Sequence, residues 1–150
     1  MSTPPPGPAG TPAAPAPGAV ALEEVLRAAE FRRRLRRFQA HGDARVRQSG
    51  LTPQRYLLLL AIKGAPDETQ TRSIGQLTDD LQLAQSSVTE LVDRAEAAGL
   101  VVRASGSADA RTVVVRLSPA GEDRLALALT AVRAEREQLL EHLDRARLHL

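Results

Sequence analysis

An aspartate and an arginine stand two residues apart in the segment SGSADARTVVVRLSPAG, which spans residues 105 to 121. Small residues precede Asp109 and Arg111, and β-branched residues follow them. A loop of small residues lets a backbone approach DNA closely, and the negative potential of a narrow minor groove attracts a guanidinium. An aspartate near phosphates needs a neighbouring cation, so Asp109 is interpreted as an organiser of the loop. Taken alone, the segment also fits an ordinary hairpin turn with a surface ion pair.

Two helices are predicted just before this loop. Ser73 and Gln76 have the pattern of a capping box, and apolar residues at helical spacing follow over about two turns. After a three-residue turn, a second helix is predicted from about Gln85 to Ala98, and Gly99 ends it. The pair is therefore predicted to form a helix-turn-helix.

The second helix has an apolar stripe and a polar stripe that are separated by about 160° around its axis. The apolar stripe consists of Val88, Leu91, Val92 and Ala95. The polar side carries short hydrogen-bonding groups, which suit the base edges and phosphates of DNA. The candidate DNA-binding residues of this helix are Gln85, Ser86, Ser87, Thr89, Glu90 and Arg94.

Further helices flank this region on both sides. Residues 19 to about 41 have apolar residues at helical spacing and predict a helix that Gly42 ends. Thr52 and Pro53 then begin a helix that is apolar on all sides, which indicates burial. Ser118 is predicted to cap one last long helix.

The hydrophobic period changes from that of a helix to that of a strand after Gly99. Residues 100–103 and 112–117 are predicted to be the two strands of a hairpin that carries the Asp109 loop. The predicted fold class is mainly α with a small β-hairpin, a winged helix-turn-helix. Its second helix, about 14 residues and roughly 21 Å long, has a length and width that fit a DNA major groove.

The composition and the motifs limit the classes of function. The chain has no cysteine, which excludes disulfides, thiolate chemistry and cysteine-ligated zinc. No P-loop, H-E-x-x-H or G-x-S-x-G motif is present, so no enzyme activity, cofactor or metal site is predicted. Residues 56–62, the longest purely apolar stretch, are too few to span a membrane. Residues 1–18 have no signal-peptide pattern and are predicted to be a disordered Pro/Ala-rich tail, so a cytoplasmic setting is expected.

Three blocks of the sequence resemble the MarR-type winged-helix transcriptional regulators. These blocks are LTPQRYLLLLAIKG, IGQLTDDLQLAQSSVTELVDRAEAAGLVVR and ADARTVVVRLSPAG. The most specific parts are LVDRAEAAGLVVR and the Asp-x-Arg loop that a strand and LSPAG follow. The resemblance covers about residues 20 to 145.

The resemblance implies a sequence-specific regulator, most simply a repressor, that binds double-stranded DNA at a palindromic operator as a homodimer. It implies one MarR-like domain over residues 19–150, in which residues 19–50 and 119–150 form dimerisation helices. Residues 51–118 then form the DNA-binding part.

The resemblance also implies roles for single residues. Residues 85–94 read the major groove, and Arg111 enters the minor groove from the tip of the hairpin. Asp109 orients that tip by pairing with an arginine, either Arg103 or Arg111. Arg103 is itself a DNA-binding candidate.

The charge of the second helix departs from the family pattern. The helix has three acidic residues, Glu90, Asp93 and Glu96, and one basic residue, Arg94. Glu90 occupies a position where the family often has arginine or a small polar residue. Glu90 either accepts a hydrogen bond from a cytosine amino group or weakens binding. Phosphate attraction is then expected from basic residues elsewhere, namely Arg72, Arg103, Arg111, Arg116, Arg55 and Lys63. The acidic helix also leaves open a different class of function, a winged-helix protein–protein interaction module without direct DNA binding.

A small aromatic or anionic effector ligand is a further implication of the resemblance. Such a ligand would bind between the dimer helices and the winged helix and favour one spacing of the two DNA-binding parts. The candidate ligand-binding residues are His41, Arg45, Arg55 and Tyr56. Each of them is equally consistent with a plain surface or packing residue.

Overall fold

The computed structural model of the 150-residue chain describes residue 18, residues 20–106, residue 109 and residues 111–147. Residues 1–17, which make up most of the predicted tail, lie outside the described residues, and so do residues 107, 108 and 110 of the Asp109 loop. The chain forms two compact units, of which the first ends at Arg37 and the second begins at Phe38.

Helix α1 spans Leu22–Gln48, so the predicted helix end at Gly42 is wrong. A glycine inside a helix costs only about 1 kcal/mol relative to alanine. Val46, one turn beyond Gly42, is only 2% exposed. Complete burial of a valine side chain contributes about 1.5–3 kcal/mol, which offsets the cost of the glycine.

Exposed ion pairs one helical turn apart line the part of α1 that belongs to the first unit. Glu23 pairs with Arg27 at 2.6 Å, and Glu30 pairs with Arg33 at 2.9 Å and with Arg34 at 2.8 Å. The hydrogen bonds from Arg34 and Arg33 lower the pKa of the Glu30 carboxyl. These pairs occupy the solvated surface of the helix.

Three helices form the centre of the second unit, and the first two begin at the predicted capping residues. They are α2 (Pro53–Lys63), α3 (Ile74–Leu81) and α4 (Gln85–Ala97). The Thr52 hydroxyl caps α2, and a complete capping box between Ser73 and Gln76 begins α3. Gln82 ends α3 with a left-handed φ of 54° and so turns the chain towards α4.

A two-stranded antiparallel hairpin follows α4, as predicted. Its strands are β1 (Val101–Ser105) and β2 (Val113–Leu117), and each begins one residue later than expected. Val101 lies opposite Leu117, and Ser105 lies opposite Val113. The inner ends of both strands are buried, whereas Val113 at the outer end is exposed. The hairpin is therefore fixed to the core at its base.

Arg72 joins the hairpin to α3 and is buried, so it is not the phosphate contact that its charge suggested. Its backbone N–H and carbonyl exchange hydrogen bonds of 3.0 and 2.8 Å with Val115. Its guanidinium donates two hydrogen bonds, of 2.7 and 2.8 Å, to the carboxylate of Asp80. A bidentate pair of this kind fixes both the position and the orientation of the two side chains.

The predicted last helix is two helices, α5 (Pro119–Ala131) and α6 (Arg133–Arg147). Val132 interrupts them with φ −97° and ψ 1°. Just before the break, the Thr130 hydroxyl donates a 3.0 Å hydrogen bond to the carbonyl of Ala126. Threonine side chains that bond back to the preceding turn favour a bend in a helix, and the apolar spacing alone did not indicate the break.

The core of the second unit combines α2, α3, α4, the base of the hairpin and α5 with the end of α1. Its largest fully buried side chains are Leu58, Leu59, Ile62, Leu77, Val88, Val92, Val101 and Val115. Throughout the described ranges, no helix combines the length and the apolar character that a membrane crossing requires.

Gly121 marks the closest approach between α5 and the hairpin. A Cβ atom at this position would lie 2.0 Å from the carbonyl oxygen of Leu100. At the same junction, the N–H of Ser118 donates to the Leu100 carbonyl at 3.0 Å, and the Ser118 hydroxyl donates to the Gly99 carbonyl. Only a residue without a side chain fits here.

We expect Gly121→Ala to lower the free energy of unfolding by about 3 kcal/mol, because the added methyl group meets backbone that cannot move aside cheaply. Urea unfolding at fixed protein concentration measures the change. Gly75→Ala is the matched control: the nearest atom to its added Cβ is 3.9 Å away. This control is expected to stabilise the helix by about 0.5–1 kcal/mol. Equal effects of the two substitutions would contradict the close approach at Gly121.

Candidate nucleic-acid interface

Burial of one side of α4 determines which of its side chains face outwards. Val88, Leu91, Val92 and Ala95 are buried in the core, as the apolar stripe predicted. Of the candidate residues on this helix, five are exposed and Thr89 is half-buried. The exposed ones are Gln85, Ser86, Ser87, Glu90 and Arg94.

The outer face of α4 forms a shallow, open depression of about 600 Å³. The side chains that line it are Gln85, Ser86, Thr89, Glu90 and Asp93. The Thr89 hydroxyl donates to the carbonyl of Gln85 at 2.9 Å, which leaves the lone pairs of its oxygen available as acceptors. The face therefore offers amide and hydroxyl groups with a carboxylate near its middle.

Each of the three carboxylates of α4 has an arginine partner. Arg103 on β1 donates to Asp93 at 2.5 Å and also to Glu96. The side-chain hydrogen bond with Asp93 is the main reason why the pKa of Arg103 is raised. Glu90 pairs with Arg94 one turn along the helix, at 3.4 Å. The acidity that the sequence indicates is thus largely compensated within the structure.

The Asp109 loop is organised by hydrogen bonds to its own backbone. The Asp109 carboxylate accepts from the N–H of Arg111 at 2.9 Å, and the Asp109 carbonyl accepts from the N–H of Thr112 at 3.0 Å. The described contacts of Asp109 are therefore with backbone groups of Arg111 and Thr112. The expected ion pair with an arginine is replaced, because the Arg103 guanidinium contacts α4 and the exposed Arg111 contributes its N–H.

The expected phosphate-binding residues fall into two groups. Arg72, Arg103 and Lys63 each pair with a carboxylate of the chain, and the Lys63 ammonium contacts Glu122 at 2.7 Å and Gln70 at 2.6 Å. Arg111 and Arg116 are exposed and, among the described residues, have no carboxylate partner. The exposed positive charge of the hairpin is therefore concentrated on these two arginines.

The four candidate ligand-binding residues do not converge on one cavity. Tyr56 lines an apolar cavity of about 620 Å³, and burial raises the pKa of its hydroxyl. His41 and Arg45 line a separate opening of about 570 Å³. Arg55 lies against α4, where its guanidinium contacts the Arg94 carbonyl at 3.4 Å.

Glu135 of α6 lines both cavities and was not among the predicted site residues. Its Oε1 accepts a 3.1 Å hydrogen bond from Arg45, while its Oε2 is buried and, in the described part of the chain, has no hydrogen-bond partner. The only sequence signal was its place in a long helix, which does not distinguish it from its acidic neighbours. Within the same described part, no group of three acidic or histidine side chains is arranged to hold a metal ion.

The comparisons with known proteins give a family match and several similar structures. The family model described as "MarR family" matches residues 49–112, which include the helix-turn-helix and β1. No curated protein matches the chain.

Three solved structures illustrate the similarity. The transcriptional repressor CouR, bound to a 23-mer DNA duplex, is 27% identical with a TM-score of 0.64, over 85% of this chain and 89% of that one. BldR, a transcriptional regulator from Sulfolobus solfataricus, is 25% identical with a TM-score of 0.59, over 88% of this chain and 100% of that one. AbsC, a MarR family regulator from Streptomyces coelicolor, shares the fold at 20% identity, with a TM-score of 0.69 over 85% of this chain and 91% of that one.

The matched region contains the outward polar face of α4 and begins just before the buried helix α2. The similar structures extend over the flanking helices as well. With its helix-turn-helix and its two-stranded hairpin, the chain has the winged-helix fold of MarR family transcriptional regulators, and its residues 49–112 match the model of that family.

Proposed function

We propose that the chain is a sequence-specific DNA-binding transcriptional regulator that acts as a repressor and binds a palindromic operator as a homodimer. The observation that carries this proposal is the exposed polar face of α4 next in sequence to a hairpin whose tip exposes Arg111. The DNA-bound repressor CouR, at 27% identity, supports the same function.

The geometry suits a duplex in two places. Helix α4 has 13 residues, or roughly 20 Å, and its outer side chains suit base edges in the major groove. Arg111 suits the adjacent minor groove, because the negative potential there attracts a guanidinium strongly. Arg103 keeps β1 against α4, so the two elements meet DNA as one surface.

The alternative is a winged-helix module that binds another protein instead of DNA. The acidic residues of α4 were the feature that favoured it. Their pairing with Arg94 and Arg103 leaves little net negative charge on this face, and that weakens the alternative. DNA-binding measurements distinguish the two functions.

We expect Arg111→Ala to weaken binding to a duplex from the promoter beside the chain's own gene by about tenfold, and to reduce the salt slope of the affinity by about 1. Fluorescence anisotropy over a series of salt concentrations measures both quantities. Arg47→Ala, which removes an equal charge from an exposed position at the end of α1, is the control and leaves both values unchanged.

A wild-type chain that binds no duplex would favour the protein–protein module. Equal affinities of the wild type and the Arg111 variant would place the hairpin tip outside the interface. The two outcomes therefore test the function and the role of this residue separately.

The proposal includes a second copy of the chain that covers the apolar side of the terminal helices. Leu22, Val25 and Leu26 follow helical spacing on α1 and are all exposed, and Leu140 of α6 is exposed as well. Burial of each such side chain contributes about 1.5–3 kcal/mol. Residues 19–50 and 119–150 are thus proposed as the dimerisation helices, with residues 51–118 as the DNA-binding part.

We expect Leu26→Glu to convert the protein from dimer to monomer, because each interface would then bury an unpaired carboxylate. Sedimentation equilibrium gives the mass, and footprinting shows whether two half-sites one helical turn apart are protected. Ala28→Glu places the same charge on an exposed position off the apolar stripe and should remain dimeric. A wild-type chain that is monomeric at all concentrations would contradict the dimer.

A small effector is the last part of the proposal, and the apolar cavity beside Tyr56 is its site. Phe38, Leu57, Val132 and Leu139 line the same cavity with apolar surface, which suits an aromatic ligand. The buried Glu135 Oε2 needs a donor, since an unpaired buried acceptor costs about 1–3 kcal/mol. This oxygen favours a ligand with an N–H group over an anion.

We expect benzylamine to bind more tightly than benzoate, two probes of similar size and opposite charge. The chain has one tyrosine and no tryptophan, so the fluorescence of Tyr56 reports directly on this cavity. Glu135→Gln should reduce the preference for benzylamine, because it removes one of the negative charges that line the cavity. Unchanged fluorescence with both probes, or tighter binding of benzoate, would contradict this assignment.

A further inference from the structure

Glu90 stands in the middle of the outer face of α4. Its side chain is 68% exposed, and it lines the same depression as Ser86 and Thr89. Because Val88, Leu91 and Val92 hold the opposite side of the helix in the core, Glu90 is directed away from the fold. Any duplex that lies on this face meets the Glu90 carboxylate.

Glu90 differs from the other two carboxylates of α4 in how firmly it is held. Asp93 and Glu96 share Arg103, whose side chain is only 31% exposed. The partner of Glu90 is Arg94, at 3.4 Å on the same helix and 53% exposed. A charge-assisted hydrogen bond is normally about 2.7–2.9 Å, so this contact is loose and both groups can turn to another partner.

A carboxylate is an acceptor only, and this limits what it can bind in a major groove. Guanine presents two acceptors there and thymine presents an acceptor and a methyl group, so neither attracts it. Adenine has a donor, but the acceptor N7 stands beside that donor. Cytosine presents its N4 amino group as a donor, and this is the base that a carboxylate matches best.

The neighbouring arginine, Arg94, compensates the electrostatic repulsion that a carboxylate meets in the major groove. The guanine paired with that cytosine presents O6 and N7, two acceptors that would repel Glu90. Arg94 lies one turn along the helix and carries the donors that those acceptors need. The loose Glu90–Arg94 pair is therefore complementary to a C·G base pair.

We propose that Glu90 is a specificity-determining residue that requires a cytosine in each operator half-site, with Arg94 offsetting the charge of the paired guanine. This inference rests on the proposed function, since it needs DNA on the outer face of α4. The competing possibility is that Glu90 repels the phosphate backbone and weakens all duplexes alike.

Selection of bound duplexes from a randomised pool, followed by sequencing, tests the proposal with full-length protein. The wild type is expected to require cytosine at one position of each half-site. Glu90→Gln should lose this requirement by about tenfold and shift towards adenine, which glutamine binds through N6 and N7. Asp123→Asn removes the same charge from an exposed position on α5 and should keep the wild-type preference.

Three outcomes would count against the proposal. If Glu90→Gln selects the wild-type sequences with equal or uniformly higher affinity, Glu90 only repels phosphates and the inference is overturned alone. If the wild type selects a sequence without a required cytosine, the inference is likewise overturned while the proposed function stands. If the wild type selects no sequence, the proposed function fails as well. Thermal melting followed by circular dichroism confirms that each variant is folded.

Discussion

The contact of Arg103 with two carboxylates of α4 is the interaction on which the proposed interface depends. Arg103 belongs to β1, so its guanidinium ties the hairpin to the helix that carries the polar face. Without this cation, Asp93 and Glu96 would face each other and the DNA with no compensation. Two uncompensated carboxylates less than one helical turn apart would repel each other and the phosphates of a duplex.

Arginine has two separate uses in this chain. Arg72 and Arg103 pair with carboxylates of neighbouring helices, and in each case the guanidinium bridges two elements of the fold. Arg111 and Arg116 are directed outwards from the hairpin. Lysine makes a poorer bridge of this kind, because an ammonium does not match a carboxylate in a bidentate way. Part of the basic residues of the chain therefore stabilises the fold. A count of the charges in the sequence overstates the positive charge that is available to bind DNA.

The fold was largely predictable from sequence because its boundaries depend on local chemistry. Thr52, Ser73 and Ser118 cap their helices within three residues of themselves, and the buried stripe of α4 follows directly from helical spacing. The errors arose where distant contacts override local preference. For example, the burial of Val46 stabilises the continuation of α1 past Gly42, and no pattern in the sequence predicts this burial.

The candidate site was less predictable than the fold for the same reason. The polar face of α4 is a property of one helix, and spacing identified it. The partner of two of its carboxylates, Asp93 and Glu96, comes from another element: Arg103 is ten residues from Asp93 in the chain and across a turn from it. Glu135 could not be distinguished at all, because only the packed arrangement of the helices shows that one of its oxygens lacks a donor.

The junction at Gly121 has a mechanical consequence. The Leu100 carbonyl accepts the Ser118 N–H and its oxygen would lie only 2.0 Å from a Cβ of Gly121, so the first turn of α5 packs directly on the backbone that leads into β1. Closely packed backbone transmits displacement instead of absorbing it. A tilt of α5 is therefore expected to displace the backbone that leads into β1, so the two elements are mechanically coupled at this junction.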